Sequence, residues 1–258
     1  RMLGEMVRQI THCGPRAPTV QLSPLDARDA DLLTGALRSY GWYVKRYFSF
    51  GNWYLPCADL SFDAFMASRD SQLRNTLGRK AKKFLGEPAN RIEVIIDPAN
   101  VARGMDAYDR VFLKSWKKPE PYPDFVRGWA KICADNGWLR LGIAWVGDVA
   151  VAVQFWFVIE GKAYIFKLAY DEDFAKLSTA TILTSHLFRR ALDEDKVVEI
   201  DYLTGDDGYK RGWMTHRRER VGIIACDRRT LRGMIRSLVE SAGDLRRRFI
   251  PRPTAIEG

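Results

Sequence analysis

The chain has 258 residues, 47% of them hydrophobic and 12% aromatic, enough to bury one large core or one and a half small ones, so disorder is not expected. A formal charge of +9 favours an anionic partner, whether a phosphorylated cofactor, a nucleic acid, an acidic carrier protein or a membrane surface, without choosing among them. Cys13, Cys57, Cys133 and Cys226 form no Cys-x-x-Cys pair, and no histidine stands at ligand spacing, so neither a metal site nor a disulfide scaffold is indicated.

No apolar run reaches the ~20 residues that cross a bilayer, and the N-terminus lacks a charged-then-apolar signal pattern. The reading is a soluble, cytoplasmic protein with reduced thiols and no transmembrane segment. Its opening on Arg1 and Met2 fits either a trimmed chain or a piece of a longer protein.

Arg1 to Pro24 shows little periodicity, with Cys13-Gly14-Pro15 and Ala17-Pro18 as turn punctuation, and reads as linker plus a fragment. Asp26 to Tyr40 follows as a helix with Leu32, Leu33 and Leu37 inward, stopped by Gly41. Trp42 to Phe50 and Trp53 to Leu55, separated by Gly51-Asn52, read as a hairpin. Ser71 to Leu85 is a basic helix carrying Arg74, Arg79, Lys80, Lys82 and Lys83, and Ile92 to Ile96 is a strand. Val101, Met105, Tyr108, Phe112 and Trp116 recur at helical spacing, as do Phe125, Trp129 and Ile132 behind a capping Asp124.

The period then changes. Leu139 to Val146, Val149 to Ile159 and Ala163 to Tyr170 are three strands joined by short Gly-containing turns, which predicts an antiparallel meander. Ser178 to Leu192 is a helix, Val197 to Leu203 a buried strand expected beside the third strand of the meander, and Tyr209 to Trp213 a helical turn before a last strand, Val221 to Cys226. Leu231, Ile235, Leu238, Ala242, Leu245 and Phe249 mark an amphipathic helix surrounded by arginines, Arg246 to Arg248 among them. This order is that of a mixed α/β sheet rather than a doubly wound one.

Two segments crowd polar residues at strand ends, where open α/β sheets place their ligands. In Tyr170 to Thr181 a strand stops and a helix rich in small hydroxyl residues begins, so backbone N–H groups and the positive helix end face one place, a geometry that holds phosphate. Read plainly, Ser178 is an N-cap. In Asp201 to Trp213, two acids, a phenol and two cations follow the buried strand and could reach a cleft at its end; the plain reading is a solvated acidic turn. His186 sits between Leu183 and Leu187 in a helix and reads as a packed structural histidine, and without a nucleophile motif covalent catalysis has little support.

The stretches Tyr170-Asp-Glu-Asp-Phe-Ala-Lys-Leu-Ser178 and Asp201 to Trp213 resemble the paired motifs of the cellulose-biosynthesis acetyltransferase-like family, a GNAT-superfold group related to Fem-type peptidyltransferases. The resemblance extends back to the basic helix at Ser71 and covers about Ala67 to Cys226. One departure stands out: the family's Pro-Gly after Lys-Leu-Ser is Thr179-Ala180 here, and a methyl group replaces the hydrogen that lets backbone approach a pyrophosphate.

The resemblance implies a GNAT acyltransferase domain over 66–227, preceded by a partial GNAT-like half over 1–65 and followed by a basic C-terminal helix and tail over 228–258. It implies an acyl-CoA or acetyl-CoA donor, no metal, and attack of an amine on a thioester or ester carbonyl. Lys210 is the candidate for charge stabilisation, Asp201 and Asp206 are candidate bases, and Tyr209 is the candidate proton donor to the leaving thiolate. Tyr170, Lys176, Ser178, Thr179, Ala180 and Thr181 are the candidate donor-binding residues.

Three functions compete. The first is an N-acyltransferase using acyl-CoA or an acyl-carrier protein, with an amino sugar, another envelope precursor or a small molecule as amine acceptor. The second is a Fem-type transferase taking its aminoacyl group from charged tRNA, whose phosphates would suit the basic helices. The third is a non-catalytic basic binding module on a degenerate GNAT scaffold.

Overall fold

The computed structural model describes residues 5, 7–9 and 17–249. Cys13 and His12 lie outside them. In chain order the elements are β1 (Thr19–Leu25), α1 (Ala27–Ser39), β2 (Trp42–Pro56), α2 (Phe62–Ala67), α3 (Ser71–Leu85), β3 (Asn90–Ile95), α4 (Val101–Leu113), α5 (Pro123–Asp135) and β4 (Leu139–Val146). There follow β5 (Val149–Ile159), β6 (Lys162–Tyr170), α6 (Thr179–Arg189), β7 (Glu199–Asp201), α7 (Lys210–Trp213), β8 (His216–Asp227) and α8 (Leu231–Phe249).

The chain divides into two compact units, 52–218 and 1–51 with 219–258. This division differs from boundaries at 65 and 227, because β1 pairs antiparallel with β8 from Thr19 opposite Cys226 to Leu25 opposite Val221. The residues expected to be an N-terminal linker thus include a strand of that unit, over which α1 packs Ala30, Leu33 and Leu37 against Val44, Ile223 and Ala225.

In the larger unit the strand order is β2-β7-β6-β5-β4-β3. The expected meander forms: β4–β5 and β5–β6 are antiparallel. β7 lies between β6, to which it is parallel, and β2, to which it is antiparallel, so the sheet is mixed.

Each face of this sheet is covered. On one, Leu139, Leu141 and Ile143 of β4 and Phe155 of β5 join Met105, Tyr108 and Phe112 of α4 and Val126, Ala130 and Cys133 of α5. On the other, Ala144 and Trp156 join Phe65 of α2, Leu77 and Phe84 of α3, and Ile182, Leu183 and Leu187 of α6. Fully burying one such aromatic or aliphatic side chain contributes roughly 1.5–3 kcal/mol, so both helical layers are held by many contacts of that size. Gly142 permits the second layer: a Cβ there would stand 2.9 Å from Leu187 Cδ1 and 3.0 Å from Leu183 Cδ1. α6 therefore approaches the sheet more closely than any side chain at that position would allow.

Several local expectations differ from the structure. Gly51-Asn52 is not a hairpin turn; β2 runs through it as one strand, because Asn52 is buried and its amide donates to Asp201 Oδ1 at 2.5 Å and to the Leu203 carbonyl at 2.8 Å. Asp124 is not the cap of α5: Tyr122 occupies that place, and Pro123 opens the helix where a missing N–H costs nothing. Trp116 does not continue α4, which ends at Leu113. The buried strand is shorter than Val197 to Leu203 because Lys196 and Leu203, at φ of 51° and 53°, break the extended backbone on both sides of β7. The helix expected to reach Leu192 leaves the α form at Arg190 in a π-helical turn.

Candidate functional site

β6 and β7 stay paired only from Lys162 opposite Glu199 to Tyr164 opposite Asp201. β7 ends there, while β6 continues to Tyr170. Beyond the last pair two cavities open, sharing Leu168, Tyr202 and Tyr209 in their walls.

The first cavity, of about 570 Å³, is walled by Tyr170, Trp116, Gln154, Ala180, Thr181, Thr184 and Trp213, with Asp70, Gln72, Leu73 and Thr76 from the start of α3 and its approach. Gln154 fixes its floor. Its Nε2 donates to the Ala180 carbonyl at 3.0 Å and to Thr184 Oγ1 at 2.6 Å, while its Oε1 accepts from Trp156 Nε1 at 2.9 Å. A buried amide with its partners met holds its neighbours in place, so the first turn of α6 is pinned to β5. Trp116 packs against Tyr170 with ring centroids 4.7 Å apart.

The turn into α6 is built by its own residues. Asp171 accepts from the Asp173 N–H at 3.0 Å and starts a short 3-10 turn, Glu172–Leu177. Ser178 then adopts a left-handed conformation, φ 58°, and although it occupies the N-cap position its hydroxyl accepts no bond from the first-turn N–H groups. Its carbonyl instead accepts from the Ile182 N–H at 3.1 Å. The basic helix supports the same turn, since Lys80 Nζ donates to the Lys176 carbonyl at 2.7 Å.

The second cavity, of about 440 Å³, is lined by Lys117, Lys167, Lys210, Thr204, Asp207 and Tyr209 besides apolar residues of β6. Lys210 is almost fully buried. Its Nζ donates to the carbonyls of Thr204 at 2.6 Å and Gly205 at 3.1 Å and pairs with Asp207 at 3.1 Å. An ammonium has three N–H groups, so these partners occupy it fully. Gly205 permits this: at φ 99° a Cβ would be strained and would stand 2.9 Å from Lys210 Nζ.

Tyr209 is the one expected catalytic residue whose side chain borders both cavities. Burial, then the Asp207 charge, push its phenol up to about 12. Such a phenol is a poor proton source for a thiolate whose acid ionises near ~8.5, and it remains a hydrogen-bond donor at neutral pH.

The two expected bases are engaged elsewhere. Asp201 is buried and bound by Asn52, by the Leu203 N–H at 2.6 Å and by Arg218, which also pairs with Glu199. Asp206 accepts from Trp53 Nε1 at 2.7 Å and pairs with Arg217, whose hydrogen bonds hold its carboxyl below the usual range. Neither is among the residues lining the two cavities, whereas Asp207 is.

Of the expected donor-binding set, Tyr170, Ala180 and Thr181 wall the first cavity. Ser178 is not among its lining residues, and Lys176 lines a separate recess with Lys80 and Lys83. Thr179 is buried, its hydroxyl without a hydrogen-bond partner among the described residues. His186, read as packed, lies on the exposed side of α6. Gln154, Trp116 and Lys117 were not found from the sequence; a polar glutamine within the apolar run of β5 was the one available signal.

Fold and cavities define an α/β protein with two adjoining cavities where two parallel strands part, the place where open α/β sheets hold their ligands. The chain belongs to the Acetyltransferase (GNAT) domain family, whose model matches residues 71–211, more than half of its length. Its fold is similar to that of FemX, at 10% identity and a TM-score of 0.67, covering 93% of this chain and 78% of that one. It is also similar to the C-terminal domain of a putative lysylphosphatidylglycerol synthetase from Agrobacterium fabrum, at 13% identity and TM-score 0.59, covering 93% and 77%. A conserved protein of unknown function from Bacteroides thetaiotaomicron is similar at 13% identity and TM-score 0.57, covering 81% and 69%. These likenesses concern the fold alone. No curated protein matches the sequence. Among the described residues no helix is long and apolar enough to cross a membrane.

Proposed function

We propose that the protein is an N-acyltransferase that moves an acyl group from a thioester donor, acyl-CoA or an acyl-carrier protein, to an amine of a sugar, envelope precursor or small molecule. The observation that carries this reading is the pair of adjoining cavities, one at the start of α6 and one beyond it, sharing Tyr209. The donor's phosphates lie toward the first turn of α6 and its thioester carbonyl toward Tyr209. The acceptor enters the second cavity.

The amine nitrogen attacks the thioester carbonyl carbon, a C–N bond forms, and the C–S bond breaks to release the thiolate. Tyr209 donates a hydrogen bond to the charge that develops, in surroundings less polar than water where such a bond is stronger. The nitrogen attacks as the neutral amine, and the proton it sheds as the amide forms passes to solvent through Asp207, the carboxylate that lines the acceptor side. Lys210 acts as a positioning residue, tying the loop between β7 and α7 so that Tyr209 and Asp207 stay at the cavity.

A Fem-type reading, with an aminoacyl-tRNA donor, draws on the fold likeness to FemX and on the exposed Arg74, Arg79, Lys82 and Lys83 of α3. The likeness to a domain named as a putative lysylphosphatidylglycerol synthetase is compatible with an envelope acceptor. Membership in the narrower cellulose-biosynthesis-like group rests on the paired motifs.

Thermal-shift measurements with acetyl-CoA, an acyl-carrier protein and aminoacyl-tRNA separate these readings. The thioester reading predicts stabilisation by one of the first two; stabilisation by tRNA alone overturns it in favour of the second.

A further inference from the structure

Three lysines line the second cavity, and they are not equivalent. Lys210 is saturated by two carbonyls and Asp207. Lys167 pairs with Glu120 at 2.6 Å. Lys117 forms no ion pair within 4 Å among the described residues; its Nζ lies 5.6 Å from the Trp116 ring centroid and 5.9 Å from that of Phe112. It is half-buried, so it lacks the full hydration that a surface lysine uses in place of a partner.

We propose that the second cavity is the subsite for an oxyanion carried by the acceptor, a carboxylate or phosphate, and that Lys117 is the residue that binds it. This rests on the acyltransferase reading for the word acceptor, but the anion site itself stands on the cavity and its charges. The acceptor is then a molecule with an amine and an oxyanion, its amine toward Asp207 and its anion toward Lys117. Burial, followed by the Lys167 and Lys210 charges, pulls the Lys117 amine below the ordinary lysine range. An arriving anion offsets both effects and favours the charged form that makes the contact. A lysine acts as a point charge and is compatible with either anion, unlike the fork of an arginine. The volume, about 440 Å³, suits a small molecule of that kind.

The test is calorimetric titration of the whole protein with three probes: ethanolamine, β-alanine and O-phosphoethanolamine, which carry the amine alone, with a carboxylate, or with a phosphate. The expected result is that at least one anionic probe binds at least tenfold more tightly than ethanolamine; the tighter of the two identifies the anion. Lys117→Met removes that preference, while Lys117→Arg, which keeps the charge, restores most of it. Acetyl-CoA, bound in the first cavity, keeps its affinity in Lys117→Met. No preference for either anionic probe, or a preference that survives in Lys117→Met, overturns the proposal. Absence of binding of both acetyl-CoA and acyl-carrier protein to the unmodified protein, with Lys117-dependent anion binding intact, would overturn the thioester acyltransferase reading and leave this one standing.

Discussion

Replacing Lys210 by methionine leaves the carbonyls of Thr204 and Gly205 and the Asp207 carboxylate without their common donor. Hydrogen bonds to a charged group are worth ~1.5–3 kcal/mol each at most sites, and the three here share one ammonium. The expected outcome is a stability loss of ~2–3 kcal/mol in urea denaturation, with faster amide exchange over residues 203–207. A lysine that served only the reaction would lower turnover and leave both unchanged.

Asp201→Asn removes one of the two carboxylates that Arg218 pairs with and leaves Glu199 as the other. The stability loss is therefore expected to fall below the ~3–5 kcal/mol of a buried charge left with no partner, and denaturation measures it directly. Tyr209→Phe does the reverse: stability is expected to hold, while turnover falls ~100-fold through loss of one donor to the developing charge. Because the Tyr209 phenol is pushed up to about 12, the donating form persists through pH 10, where an ordinary phenol is half ionised. Turnover should therefore show no alkaline limb from this group below pH ~11, and a decline centred near ~10 would remove Tyr209 from the assignment.

At the scale of elements, the closeness of α6 to β4 sets the first cavity. Gly142→Val places methyl groups where Leu183 and Leu187 already stand, and overpacking of this kind costs ~1–3 kcal/mol. The shift moves Ala180, Thr181 and Thr184 with their helix, so donor affinity is expected to fall alongside stability. Gly35 in α1 is the contrast: a Cβ there meets nothing within 4 Å, and Gly35→Ala should stabilise the protein by ~0.5–1 kcal/mol in the same assay.

Elements whose identity follows from local pattern were legible. α3 runs from Ser71 to Leu85 as its composition and the following Gly86 predict, and the meander follows from alternating runs and short turns. Where a distant partner decides, the sequence was silent or misleading. Gly51-Asn52 has the composition of a turn, yet Asn52 is held in a strand by Asp201 and Leu203, about 150 positions away. β1 looks like linker until β8 pairs with it.

For the molecule as a whole, the excess of 41 Lys and Arg over 32 Asp and Glu favours an anionic partner but cannot locate where it binds. Tyr170, Ala180, Thr181 and Tyr209 were legible as cavity residues because strand ends and helix starts are marked locally. Lys117 and Gln154 were not, since their importance depends on which strands part and where. The residues with the most suggestive chemistry, Asp201, Asp206 and Lys210, proved to have partners that only the folded chain brings to them. Charged side chains near a site are often the ones that hold its loops.

The central claim is that a thioester donor sits at the start of α6, and calorimetric titration of acetyl-CoA into the unmodified protein and Ala180→Gly tests it most directly. Backbone N–H groups at a helix start need no particular side chain, so the unmodified protein should bind. The methyl of Ala180, a residue that lines the first cavity, should weaken that binding by crowding, so Ala180→Gly should bind more tightly. Absence of heat from both forms, with aminoacyl-tRNA alone binding in a steeply salt-dependent way, would contradict the account and assign the donor to charged tRNA.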